Sequence, residues 1–263
     1  MKVIDIDKEE KEMNSYRKVA SIAGVLLLIG AVTALVSNGL TESALRAPDY
    51  LTSVSAHGTQ IMIGAIVALI EAIASASIAI SLYPVLRKYH EGLALGAVGF
   101  GLIKGVFSLV KIIGLLSLVL LSQQFVKAGS PSTSSFQILG MLTLAITNWA
   151  HSVFGDIALS VGALMYYAVL YQTRLVPRWL AFGGLTGGVQ ALAAAVLVMF
   201  GFNPLSFLII SSVLPLFLQG MGLGGWLIVK GFNPAATASQ SVKPATNEKS
   251  STSEVRMDFS KIA

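Results

Sequence analysis

An all-α, polytopic membrane bundle of six transmembrane helices is the fold that three observations predict. Of 263 residues, 54% are hydrophobic and 12% charged, against about 25% charged in soluble globular chains; the mean hydropathy is +0.75. Uninterrupted apolar stretches recur at the roughly 20 residues that a helix needs to cross a hydrocarbon core about 30 Å thick. Lys and Arg gather in alternate connections between those stretches, as they do in cytoplasmic loops.

The first 18 residues, MKVIDIDKEEKEMNSYRK, are charged and mixed in sign. No small-residue cleavage site follows the apolar run after them, so residues 1–18 read as a cytosolic tail rather than a signal peptide. A transmembrane domain over 19–230 then holds apolar spans at about 19–36, 61–83, 93–121, 151–171, 179–200 and 205–229. The stretch 136–149 is apolar but too short to cross with its own connections. It is expected as a short helix at the outer surface or leading into the fourth span. Residues 231–263 are rich in Ser, Thr and Lys with few bulky apolar residues, and read as a disordered cytosolic tail. Arg17 and Lys18, Arg87 and Lys88, Arg174 and Arg178, and Lys230 all fall on one side of the membrane by this topology, which puts both termini in the cytosol.

A net charge of +5 could point to nucleic acid. The basic residues flank helices instead, so the bilayer is the expected partner and nucleic acid is not. The absence of cysteine from the chain excludes disulfides and thiolate chemistry.

One carboxylate, Glu71, stands near the middle of the second span. It lies 12 residues from Tyr83 at the cytosolic edge, about 18 Å deep at 1.5 Å per residue. Lys104 lies 12 residues beyond Gly92 on the third span, at the same depth by the same rise of about 1.5 Å. A charge at the bilayer centre costs roughly 2.5 to 3.5 kcal/mol on insertion scales, so such groups face the interior and pair. Glu71 is expected to pair with Lys104. Lys111 shares the face of Lys104, with Ser108 between them, and is expected to meet Asp156 of the fourth span at a similar depth. Asn148, Ser152, Asp156 and Ser160 recur every four residues and form a polar stripe towards that face. Spans two, three and four would then enclose a polar centre. Two readings of it stand open: ion pairs that only fix packing and register, or a polar pathway for a small solute or a proton.

Other motifs resolve without chemistry. His151 reads as an interfacial polar residue rather than a metal ligand, because no second histidine supports it. Gly220, Gly222 and Gly225 match GxGxxG formally but lie inside an apolar span with no preceding strand. Gly101 with Gly105, Gly183 with Gly187, and Gly220 with Gly224 are spaced to let membrane helices approach closely. Pro215 is expected to kink the sixth span. No nucleophile elbow, P-loop or paired-carboxylate helix occurs, so no catalytic site and no cofactor is expected.

Three segments, ISLYPVLRKYHEGLALGAVGF, MYYAVLYQTRLVPRWLAFGGL and GGWLIVKGFNPAA, resemble the bacterial multi-pass membrane family known as domain of unknown function 4386. The resemblance runs from about residue 15 to 233, and its most specific parts are the junctions 174–179 and 226–233. It implies topology and a bacterial cytoplasmic membrane, and transfers no activity, substrate or catalytic residue. Against the family pattern, the chain has Ala68 in span two where an acid is expected and Gly101 and Lys104 in span three where an Arg and an acid are expected. It also has Gly220 where Glu is expected in span six. The resemblance thus implies an opposite-charge contact between spans two and three kept with different residues. Because two charge pairs exceed what packing usually requires, the function is expected to be movement or sensing of a small solute, or alternatively a structural or regulatory membrane subunit with a protein partner or a second copy. An intramembrane enzyme ranks third.

Overall fold

The computed structural model describes residues 2–129, 135–202, 207–234 and 236, without the side chains of 2–12 and 207–213. The described residues are helical almost throughout and contain no strand. Helix α1 runs Lys2–Leu45, α2 Tyr50–Ala56, α3 Gly58–Leu86, α4 Glu91–Lys127, α5 Ser135–Trp149, α6 Asp156–Thr173, α7 Arg178–Met199 and α8 Phe207–Val229, with a π-helical turn Ala150–Gly155 joining α5 to α6.

Five helical runs are long and apolar enough to cross a membrane: 13–45 of α1, α3, α4, the continuous run Ser135–Thr173, and α7; within α8, Leu214–Val229 is a shorter apolar stretch. Large apolar side chains point outward along these helices, among them Ile22 and Val32 on α1, Ile66 and Ile73 on α3, and Val106 and Ile113 on α4. Water would penalise such a surface and hydrocarbon does not. The protein is a membrane protein.

The helices close into a ring: α1 packs on α3 and α8, α3 on α4, α4 on α6, α6 on α7, and α7 on α8. Ala and Gly at the contacts let backbones approach, which is how helices hold together where lipid offers no hydrophobic drive. An ideal Cβ on Gly101 would meet Ser75 O of α3 at 3.5 Å, one on Gly187 would meet Leu216 N of α8 at 2.9 Å, and one on Gly224 would meet Gly24 O of α1 at 3.0 Å. Gly105 and Gly183 lie in the same contacts. Gly220 departs from the expectation, with nothing within 4 Å of its Cβ position.

Two apolar clusters result. The larger occupies the end that carries the loops 87–90 and 174–177, called here the basic end, and contains Leu82, Leu86, Tyr167, Leu170, Leu180, Leu223 and Leu227. The smaller lies towards the far end, where α2, the last turns of α1, the first turns of α3 and the second half of α4 meet, around Leu45, Val54, Ile61, Leu115 and Leu118.

Several elements differ from the sequence reading. The charged N-terminal segment is helical from Lys2 and continuous with the first span. Helix α1 also extends to Leu45, well past residue 36. Helix α2 was not expected; it buries Leu51 and Val54. Of the two placements expected for 136–149, the structure shows the one that leads into the fourth span: the stretch continues through the π turn into α6 and packs along α4. The reading of 231–263 as a disordered tail fails at its start: Phe232 is buried, the Asn233 N–H donates to Leu175 O at 2.8 Å, and Ala236 O accepts from the Tyr89 hydroxyl at 2.9 Å. Residue 235 and the remainder of that tail, 237–263, lie outside the described residues, as do residues 130–134 and 203–206.

Candidate functional site

Between the two apolar clusters lies a layer of polar side chains contributed by α1, α3, α4, the π turn and α6. Its centre is Lys104, only 3% exposed, whose Nζ lies 3.6 Å from Glu71 Oε1. The same Nζ lies 3.9 Å from Asp156 Oδ1. One cation therefore bridges two carboxylates on two other helices. Each carboxylate thereby has a cation within 3.9 Å, the condition for carrying such charges inside a membrane protein, while the trio keeps one net negative charge and Asp156 is 31% exposed.

The approach depends on local structure. Helix α3 presents Ala68, Ala72 and Glu71 on its buried face, and α4 meets that face through Gly101 and Gly105. On the other side Lys104 runs over the π turn, where a Cβ on Gly155 would lie 3.4 Å from Nζ and 2.9 Å from Ala150 O. Only glycine leaves that space. A π turn inserts an extra residue into a helix and recurs at functional sites; here it ends immediately before Asp156.

The expected Glu71–Lys104 pair is present, whereas the expected Lys111–Asp156 pair is not. Lys104, not Lys111, takes Asp156. Lys111 turns to α1 instead and donates to Asn38 Oδ1 at 2.9 Å. Both lysines share a face of α4, and either is long enough to reach the acid. The π turn decides between them by placing Asp156 beside Lys104.

Ser108 and Ser160 are buried as expected, and Ser152 is half-buried. Asn148 is exposed and does not join the layer. The four-residue stripe assumed an unbroken α-helix, and the π turn rotates everything before it relative to Asp156. The same rotation brings in His151, whose Nδ1 is buried without a hydrogen-bond partner and which lies within electrostatic reach of Lys111 and Lys104. The residue as a whole is half-buried. Ser108 Oγ and Ser160 Oγ are likewise buried without a partner, so the layer holds two hydroxyls and one imidazole nitrogen that the protein itself leaves unmatched. Burying such groups unpaired costs about 1 to 3 kcal/mol each unless water or a ligand reaches them.

Helix α1 supplies groups that sequence reasoning missed. Ser37 Oγ donates to Gly64 O at 3.0 Å and Thr41 Oγ1 to Ser37 O at 2.9 Å, and Asn38 holds Lys111. A first span ending at Val36 left these residues in a loop. Among the described residues, no three His, Cys or carboxylate side chains gather as a metal site requires.

Residues 22–231 match the family described as a domain of unknown function, DUF4386. The chain belongs to this family. No curated protein and no solved structure matches it. The DUF4386 junctions that carry the resemblance in sequence touch each other in space: besides the backbone bond of Asn233 to Leu175, Asn233 Nδ2 donates to Arg174 O at 3.4 Å. Arg174 caps α6 in the left-handed region with φ 56°, and the buried Leu175 and Val176 then lead to Pro177, which sets the chain for α7.

Proposed function

We propose that this DUF4386 protein moves or senses a small polar solute or a proton through the layer around Lys104. The observation that carries the reading is the set of unmatched polar atoms, Ser108 Oγ, His151 Nδ1 and Ser160 Oγ, beside a cation shared by two carboxylates. Packing explains a compensated ion pair but gives no reason to surround it with unpaired donors and acceptors. Glu71, Lys104, Ser108, Lys111, Ser152, Asp156 and Ser160 are the residues assigned to this centre, with His151 and Asn38 added from the geometry.

The topology that goes with this reading has six spans, with α8 as the sixth and α5 as an outward extension of the fourth. Residues 1–18 and 231–263 then lie in the cytosol, on either side of a transmembrane domain at 19–230. The basic loops support that orientation, and family membership supports a bacterial cytoplasmic membrane. A second reading, a structural or regulatory subunit that binds a protein partner or a second copy, is favoured by the completeness of the Glu71–Lys104–Asp156 contact. An intramembrane enzyme remains third.

A natural sequence without cysteine allows a direct test. A thiol reacts with maleimide as the thiolate, which forms only where water reaches. Ser108→Cys and Ser160→Cys in intact membranes are expected to label with a small polar maleimide, while Ala163→Cys in the apolar cluster is not. If all three stay unlabelled while folded, the layer is dry and the subunit reading takes its place.

A further inference from the structure

At the basic end, well away from the polar layer, α1 and α3 leave a cavity of about 160 Å³. Val19, Pro84 and Val85 form an apolar wall, and Tyr16, Arg87 and Lys88 form the polar part. Lys88 Nζ donates to the Tyr16 hydroxyl at 2.7 Å and lies 4.7 Å from the centre of that ring. The Arg87 guanidinium lies 5.6 Å from the centre of the Tyr83 ring. Aromatic faces hold cations in place without neutralising them. Among the described side chains, which begin at Met13, neither Arg87 nor Lys88 has a carboxylate partner.

The position of this cavity is equally specific. The outward apolar surface reaches Ile22 on α1 and Ile80 on α3, and the cavity begins about one turn further towards the basic end on both helices. That is the level at which acyl chains give way to headgroups. We infer that the α1–α3 cavity binds the phosphate headgroup of an anionic phospholipid, with Arg87 and Lys88 on the phosphate oxygens and Val19, Pro84 and Val85 against the glycerol and upper acyl carbons. Arg presents a planar fork that matches two phosphate oxygens, and Lys adds a point charge. A free phosphate ion offers the same oxygens but nothing for the apolar wall.

The test uses the purified full chain in neutral detergent, with lipid binding read by native mass spectrometry. Phosphatidylglycerol, phosphatidylcholine and inorganic phosphate are the three probes. Phosphatidylglycerol is expected to stay bound and phosphatidylcholine to wash off. Each basic residue at an anionic surface is worth a factor of about five, so Arg87→Gln with Lys88→Gln should weaken phosphatidylglycerol binding about 25-fold. The exchange of Arg87→Lys with Lys88→Arg keeps both charges and should bind within a few-fold of the natural chain, which separates lost binding from lost folding. Arg174→Gln with Arg178→Gln removes the same charge from the same end outside the cavity and should leave binding intact. Equal weakening by both charge-removing pairs, equal binding of phosphatidylcholine, or inorganic phosphate binding as tightly as the lipid would each overturn the assignment.

Discussion

The basic-end cluster and the polar layer are built by largely the same helices and hold together differently. In the cluster, α1 meets α8 with Gly24 and Gly224 backbone to backbone, and α6 lays Tyr167 over Gly184 of α7. Farther along, α3, α4 and α6 face one another through Glu71, Lys104 and Asp156. Apolar atoms gain little by leaving lipid for protein, so the first region depends on close fit between small residues. The second depends on compensated charge, because an unpaired ion in a membrane interior has no solvent to turn to. One region should therefore be sensitive to volume and the other to charge.

The largest effect is expected at the shared cation. Lys104→Met leaves two carboxylates facing each other without compensation, which should cost about 3 to 5 kcal/mol and be seen as loss of folded protein in the membrane. Replacing the whole set, with Glu71→Gln and Asp156→Asn added, should restore much of the yield, since a removed ion set can be nearly neutral when a broken one is not. No recovery in the triple variant would mean that volume matters in this layer after all.

Asn38→Leu comes next. It takes the acceptor from the Lys111 ammonium, a hydrogen bond to a charged group worth about 1.5 to 3 kcal/mol, to be measured as a shift in the thermal unfolding midpoint in detergent. The glycines test the other side of the comparison. A Cβ on Gly187 would lie 2.9 Å from the Leu216 backbone, so Gly187→Ala should cost about 1 to 3 kcal/mol. Gly220→Ala meets nothing within 4 Å and should be neutral or stabilising by up to about 1 kcal/mol in the same melts. If the two substitutions behave alike, close fit is not what holds α7 on α8.

The smallest effect belongs to the loop at the basic end. Tyr89→Phe removes one hydrogen bond to Ala236 O, about 0.5 to 1.5 kcal/mol. Burial, with Tyr16 as a second cause, pushes the Tyr89 phenol up from 10.0 to about 12. A value raised on folding favours the neutral form, so its contribution is complete below pH 10 and lost as pH rises through about 12. The difference in tyrosinate absorbance between the natural chain and Tyr89→Phe, followed through that range, reads it directly.

Much of this comparison was legible in the sequence. Counting residues from the basic loops placed Glu71 and Lys104 at one level, and they pair. The ends of α7 fell within a residue of expectation, because Pro177 and the basic residues beside it mark a helix start. Depth along a helix axis says nothing of direction around it, and there the reading failed. The π turn at Ala150–Gly155 has no signature in hydropathy, yet it turned Asn148 outward, His151 inward and Asp156 towards Lys104. Ser37, Asn38 and Thr41 were hidden for another reason: polar residues in series read as a loop, although Ser and Thr can satisfy themselves on their own helix, as Thr41 does on Ser37 O.

The most direct measurement is a charge-swap series, Glu71→Lys, Lys104→Glu and both together, scored for folded protein in the membrane. Each single change should remove most of the folded protein, and the double change should recover a substantial part. Recovery should fall short of complete, because a glutamate at position 104 now faces Asp156; adding Asp156→Asn should bring back the remainder. Single variants that fold as well as the natural chain would contradict the account, since Glu71 and Lys104 would then not be buried against one another.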